Sequence, residues 1–211
     1  MVRVARGPTY RVPRKRRREG KTNYHRRYVY VRSRATRFVV RKSNRYLTLQ
    51  IIKPTPLGDI TLASVHTSEL LKKLGWRGGL KSTPAAYLAG VLLGIKARLM
   101  GVEEAVLDIG MHTPSRGSKI FAAVKGALDA GLKIPVNEDM IPGWDRIRGG
   151  DIARYAEELY SKDPERFKRQ FSEILSRGLD PRGMVAHFDE VLSKIIELGR
   201  KLGVEVRVGE R

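Results

Sequence analysis

Residues 11–27 read RVPRKRRREGKTNYHRR, a run of cations in which Glu19 is the one carboxylate. No core can take in such a segment, because like charges this close repel in a compact state and gain nothing from burial. The whole N-terminal quarter shares the bias. Residues 1–46 hold 17 Lys and Arg against one acid, so +16 of the formal +20 sits there and +4 is left for the other 165 positions. The core is therefore expected to form without the basic segment 11–27, which stays outside it and is matched by a polyanion. Nucleic acid is the first partner this predicts, and an anionic membrane surface the second.

The rest of the chain can supply a core, since 41% of all residues are apolar and the length suits one α/β domain with an appendage or two small domains. Met1–Lys21 carries Pro8 and Pro13 with almost no apolar periodicity, and alone in water it is expected to be extended or disordered. Tyr24, Tyr28, Val31 and Ala35 fall at helical spacing opposite Arg26 and Arg27, which predicts a short helix, although the Tyr-Val-Tyr-Val run would also suit a strand. Arg37–Lys42 and Tyr46–Lys53 read as a hairpin turning at Ser43-Asn44-Arg45, with Asn44 able to take φ > 0. Asp59–Val65 is a third strand. Thr83 as N-cap and Pro84 in the first turn open a helix to Met100 that is apolar nearly all round, hence buried against a sheet.

A strand is expected at Ala105–Gly110, a helix from Ser118 ended by Gly131, and one more short strand at Leu132–Val136. This is an α/β class: a mixed sheet with an N-terminal antiparallel hairpin and βαβ crossovers. Past the loop Asn137–Gly150, amphipathic helices are predicted at Asp151–Tyr160, Pro164–Ser176 and Pro181–Leu202. The division is a basic arm with a short helix over 1–36, an α/β domain over 37–136, and a loop with a helical appendage over 137–211.

Composition excludes several chemistries. With no cysteine there is no disulfide, thiolate-zinc site or thiol nucleophile, and His25, His66, His112 and His187 are too scattered for a metal cluster. The first residues lack an apolar signal-peptide core of about 7–15 residues. The longest apolar run, Pro84–Ile95, stops at Lys96, short of the roughly 18 residues a spanning helix needs. A soluble, cytoplasmic protein is expected, without cofactor, metal or small-molecule substrate. Three Asn, two Gln and heavy use of arginine lean in the direction of a chain that must survive heat.

Charge alone is generic; its aromatic company is not. Tyr10, Tyr24, Tyr28, Tyr30 and Tyr46, five of eight tyrosines, share the basic quarter with His25. Flat rings beside guanidinium groups suit unstacked bases and folded RNA, whereas a merely solvated tail would not carry its charge on through Arg32, Arg34 and Arg37 into the hairpin at Arg41, Lys42 and Arg45. Gly75–Ser82 fails as a P-loop because Leu80 stands where glycine must precede Lys-Ser; it is a glycine-rich lead-in whose Arg77 and Lys81 can still touch phosphate. His112, Arg116 and Lys119, around the loop after Gly110, face the same partner. His66 is expected to be a satisfied polar residue, and Phe167, Phe171 and Phe188 to be packing residues. The sharpest enzymatic alternative is Asp108-Ile-Gly110 at a strand end, which resembles ribonuclease-H-like and actin-like phosphotransfer sites that hold Mg²⁺ on an aspartate. A nuclease or phosphotransferase would need a second and a third carboxylate to converge on it, for which Asp59 and Asp129 are the candidates, and Arg116 and Lys119 bring the wrong charge.

Five stretches together resemble one family: YRVPRKRRREGKTNYHRR, RFVVRKSNRYLTLQII, GWRGGLKSTPAAYLAGVLLG, VLDIGMHTPSRGSKIFAAVKGALDAGLKIP and GGDIARYAEEL, spanning Tyr10 to Leu159. They are similar to the archaeal-type form of the large-subunit ribosomal protein family numbered eighteen. The resemblance implies a non-catalytic protein that binds 5S rRNA and helps attach it to the large-subunit rRNA in the central protuberance, beside neighbouring ribosomal proteins. It implies a fold distantly like ribonuclease H, which explains the Asp108 echo without chemistry. It also points to RNA contacts from the arm (Arg11, Arg14, Lys15, Arg16, Arg17, Arg18, Lys21, Tyr24, His25, Arg26, Arg27), from Arg41, Lys42, Ser43 and Asn44, and from Arg116 with its neighbours. Past Leu159 the resemblance assigns nothing.

Overall fold

The computed structural model describes residues 7–208. In chain order its elements are α1 (Lys15–Arg18), α2 (Tyr24–Ser33), β1 (Arg37–Lys42), β2 (Leu47–Pro54), β3 (Asp59–His66), α3 (Ser68–Leu74), α4 (Thr83–Leu99), β4 (Val106–Asp108), α5 (Lys119–Asp129), α6 (Trp144–Arg148), α7 (Gly150–Lys162), α8 (Pro164–Gln170), α9 (Ser172–Ser176) and α10 (Met184–Lys201). The sheet runs β3-β2-β1-β4. β1 and β2 form the hairpin, with Phe38 opposite Ile51 and Val40 opposite Leu49. β4 joins β1 in parallel, Arg37 opposite Val106, so the sheet is mixed, as the pattern predicts.

β1 is buried from Arg37 to Val40, its two edges paired with β2 and β4 and its faces covered by other elements. Phe38 and Val40 enter the main core together with Leu47, Leu49 and Ile51 of β2, while alternation turns Arg37, Val39 and Arg41 to the opposite face. Over the core face lies α4, buried from Pro84 to Ile95. It crosses α5 with backbones touching: a Cβ added at Gly90 would sit 2.1 Å from the Ala123 carbonyl oxygen, and one at Gly126 2.3 Å from that of Tyr87. Only glycine permits that approach. The crossing is pinned by Asp129, whose carboxylate accepts from the Tyr87 hydroxyl (2.6 Å) and Lys125 (2.7 Å). Burial raises the Asp129 pKa against the pull of these two donors, and burial with the Asp129 charge raises that of Tyr87.

α10 sends Met184, Phe188, Val191, Leu192 and Ile195 into the same core. Phe188 meets Tyr87 and Trp144 at ring-centroid distances of 5.8 and 6.2 Å. Ala156, Leu159, Phe167 and Phe171 make a separate small cluster, so all three singled-out phenylalanines pack.

Several local expectations are corrected. Ser82, not Thr83, caps α4, its hydroxyl accepting from the Ala85 N–H at 3.3 Å. Ser118 stands at the N-cap of α5 but makes no capping bond. Gly131 (φ +86°) does end that helix, with the Leu132 N–H on the Ala127 carbonyl and the Gly131 N–H on that of Leu128, a Schellman pairing. Asn44 keeps negative φ, since Arg34 is the one non-glycine residue with positive φ among the described residues; the Ser43 hydroxyl closes the turn against Tyr46 instead. The strand expected at Ala105–Gly110 shortens to β4, and Leu132–Val136 reduces to a single bridge from Lys133 to Glu104. α3, unsignalled by the pattern, closes at Gly75, and the helix expected at Pro164–Ser176 breaks at Phe171. Of the extended segment, residues 1–6 lie outside the described residues; Lys15–Arg18 forms one helical turn.

Candidate nucleic-acid interface

The arm is tied to the sheet through a buried arginine. Asn23 caps α2, accepting from the His25 and Arg26 N–H groups, and α2 lays Tyr30 across the Arg37 guanidinium at 5.2 Å. Arg37, 6% exposed, donates to Asp108 at 2.8 Å and to Asp59 at 2.5 Å. Arg27 pairs with Asp59 at 3.3 Å. Arg41 donates to the Asp108 carbonyl (2.8 Å) and carboxylate (3.2 Å), the Gly110 N–H completes that carboxylate at 2.8 Å, and Arg26 reaches the Gly110 carbonyl at 3.3 Å. Burial, then the Asp108 charge, raises the Tyr30 phenol pKa.

This network overturns two readings. Arg37, expected among the RNA-facing cations, is used up inside the fold. Asp108 and Asp59 do converge, but on a guanidinium that occupies the place between them, and Asp129 is committed elsewhere to Tyr87 and Lys125. Among the described residues no three His, Asp or Glu side chains come together as metal ligands would. Asp108 is the anchor of an ion-pair lattice, and no catalytic role is derived for it.

Around the lattice, cations of the arm, α2 and β1 make a basic wall that lines two clefts. Arg16, Lys21, Arg26 and Arg41 line a small cleft over it, with the Arg16 Nε held by the Thr22 hydroxyl at 2.8 Å. On the outer side of α2, Arg11, Arg14 and Arg17 face Tyr24 and Arg27 across a larger cleft. At the far end of β1 a second group assembles from distant sequence. Lys119 Nζ donates to the Lys81 carbonyl at 2.8 Å, and the Lys42 N–H meets His112 Nε2 at 3.5 Å. Burial and then the Lys81, Lys42 and Arg146 charges lower the Lys119 pKa; burial and then Lys42, Arg41 and Lys81 lower that of His112. These cations raise the positive potential of one another's surroundings at this end of β1.

Other expected contacts lie apart from these groups. Lys15, Arg18, His25, Arg32, Asn44, Arg45 and Arg116 are exposed. Arg34 is the left-handed residue ending α2. Arg77 is drawn to the C-terminal helices, donating to the Gly178 carbonyl at 3.3 Å while its N–H meets His187 Nε2 at 3.0 Å. His66 is satisfied by the Ser68 hydroxyl at 2.6 Å. The predicted helical stripe departs at two positions: Tyr24, Val31 and Ala35 are half-buried and Arg26 is exposed as expected, but Tyr28 is exposed and Arg27 is half-buried, because Asp59 of the sheet attracts Arg27. What sequence reasoning missed is the bracing role of Asp59, whose signal was its place at a strand start beside so many arginines. No helix among the described residues is long and apolar enough to cross a membrane.

Comparison with known proteins gives this geometry a family. A family model described as ribosomal large subunit proteins 60S L5 and 50S L18 matches residues 8–103 and 98–137. Large ribosomal subunit protein uL18 of Saccharolobus solfataricus is 52% identical over 199 residues, 94% of this chain and all of the relative. That of Sulfurisphaera tokodaii is 54% identical over 192 residues, 91% and 97% of the two chains, and that of Staphylothermus marinus 52% over 194, 92% and 96%. These matches run beyond Leu159 through the helical end. With the family model covering more than half of the chain and relatives above 50% identical over nearly all of it, the chain belongs to the L18/L5e family of large-ribosomal-subunit proteins.

Proposed function

We propose that the protein binds 5S rRNA through the arm and the adjoining hairpin and helps attach it to the large-subunit rRNA, beside neighbouring ribosomal proteins. The observation that carries this reading is the acid-poor wall of arginines and lysines standing on a rigid sheet, which fits a folded polyanion and supplies no reactive group. Residues 1–36 do the gripping, 37–136 set the geometry, and 137–211 brace the α/β layer. Phosphate contacts supply affinity; tyrosines interleaved with arginines favour irregular RNA over duplex.

Competition among 5S rRNA, tRNA and duplex DNA at fixed salt tests it. The expected result is a clear preference for 5S rRNA, and affinity falling by about 10³–10⁵ between 50 and 200 mM salt if some 6–10 phosphates are engaged. Equal affinities would reduce the protein to a generic basic module, and a flat salt response would remove the phosphate mechanism.

A further inference from the structure

Tyr24, Tyr28 and Val31 share one face of α2, the kind of stripe a helix normally buries; Tyr24 and Val31 are half-buried, yet Tyr28 between them is 66% exposed. These residues line a cleft of about 560 Å³ between arm and helix, with Pro13 and Pro56 also in its wall. The other lining groups are arginines and Val12, and no carboxylate is among them. Arg27 is held by Asp59, and Arg14 lies over the Tyr24 ring at 5.3 Å. Glu19, the arm's one acid, is tied to Lys21 at 2.9 Å. Arg11 and Arg17 are left as exposed cations, and Tyr28 as the uncovered ring.

We propose that this cleft receives one unstacked nucleotide, its base against Tyr28 and its phosphate between Arg11 and Arg17. The proposal rests on the RNA-binding reading above and adds a site that senses an unpaired base, where the rest of the wall senses backbone charge. Its size is that of a small-molecule site, about 300–1,000 Å³, and an aromatic floor with a cationic rim matches the two ends of a nucleotide. A base inside a duplex cannot reach it, so the RNA element is a loop, bulge or single strand. Stacking is tolerant of base identity, so the cleft selects for unpairing before sequence.

The test uses the full-length protein with 5S rRNA, with a short single-stranded oligouridylate, and with the matching duplex. Tyr28→Ala should weaken binding to 5S rRNA and to the single strand by roughly tenfold to a hundredfold, equally at every salt concentration, while Tyr28→Trp binds as the parent does. Arg17→Ala should instead lower the salt slope by about one. Because Tyr28 is exposed, the thermal transition of each variant should match the parent's. If Tyr28→Ala binds both RNAs like the parent while Arg17→Ala weakens them, the cleft sees only backbone and the proposal falls, with the 5S rRNA reading intact. If the parent shows no preference for 5S rRNA, that reading fails, and the oligouridylate arm still decides the cleft. Tighter, Tyr28-dependent binding of a glutamate-rich peptide than of oligouridylate would assign the cleft to a protein segment and overturn the proposal.

Discussion

The two ends of the chain carry nearly as many cations and use them in opposite ways. Residues 137–211 hold 14 Lys and Arg against 15 acids, whereas residues 1–46 hold 17 against one. In the C-terminal helices the charges close on one another: Lys162 with Glu158 and Lys194 with Glu190, both at 2.5 Å, Lys201 with Glu197 at 2.7 Å, and Arg148 with Asp189. These are exposed pairs worth little each, and they leave a surface with almost no net field. In the arm Glu19 meets Lys21, and the sheet lends one further acid, Asp59, which pairs with Arg27 and holds α2 in place. Arginine content therefore says little about function; the supply of acids within reach says much.

Neutralising the arm should erase this contrast most strongly. Replacing Arg14, Arg16, Arg17 and Arg18 by alanine is expected to cost about a thousandfold in RNA affinity, about 4 kcal/mol, and to lower the salt slope by about four, with the unfolding midpoint unchanged. A binding isotherm over several salt concentrations reads both. The converse belongs to the helical end: Phe188→Ala, emptying a fully buried position, should cost about 3–4 kcal/mol in denaturant unfolding without altering RNA affinity of the folded fraction.

Arg37→Ala lies between the two regions. It strands the Asp59 and Asp108 carboxylates with only their outer arginines, for a loss of about 2–3 kcal/mol, and frees α2, which amide exchange should report as faster opening of Tyr24–Ser33 alone.

A smaller effect concerns His187, stacked on Trp76 at 5.1 Å and accepting the Arg77 N–H. Burial holds its pKa below the usual value, against the pull of Glu190. A depressed folded-state pKa contributes stability above the unfolded pKa and loses it as pH falls through the folded one. His187→Phe should cost about 1 kcal/mol at neutral pH and remove that part of the acid slope, as followed by Trp76 fluorescence. Smallest of all, Arg166, Lys168 and Arg169, exposed on α8, should tolerate joint replacement by alanine with less than about twofold change in RNA affinity; a larger loss would show that the helical end grips RNA as well.

Much of the fold is legible in the sequence because each strand and helix carries its own period. β2 turns Leu47, Leu49 and Ile51 inward by alternation; α4 is apolar all round; Gly131 ends α5. The errors lie where several residues compete for one role, as Ser82 and Thr83 do for the cap, or where a third body intervenes. Helical spacing alone packs Tyr28 inward, and the structure leaves it exposed, with its neighbour Arg27 turned to Asp59 instead. The arm and hairpin cations are legible as one basic run from charge alone. The grouping of Lys42, Lys81, His112 and Lys119 is not, because nothing local in sequence links β1, a glycine-rich lead-in and the loop before α5.

That the N-terminal quarter carries an excess of charge it cannot neutralise from its own residues is settled by composition, because it holds 17 Lys and Arg against one acid. The mixed α/β class is settled by periodicity, which is local to each segment. Which cations remain available is a matter of three-dimensional placement. Ion pairing depends on distances of a few ångströms between residues far apart in the chain, so Arg37 is absorbed into a lattice with Asp59 and Asp108 while Arg11 and Arg17 are left facing an open aromatic cleft.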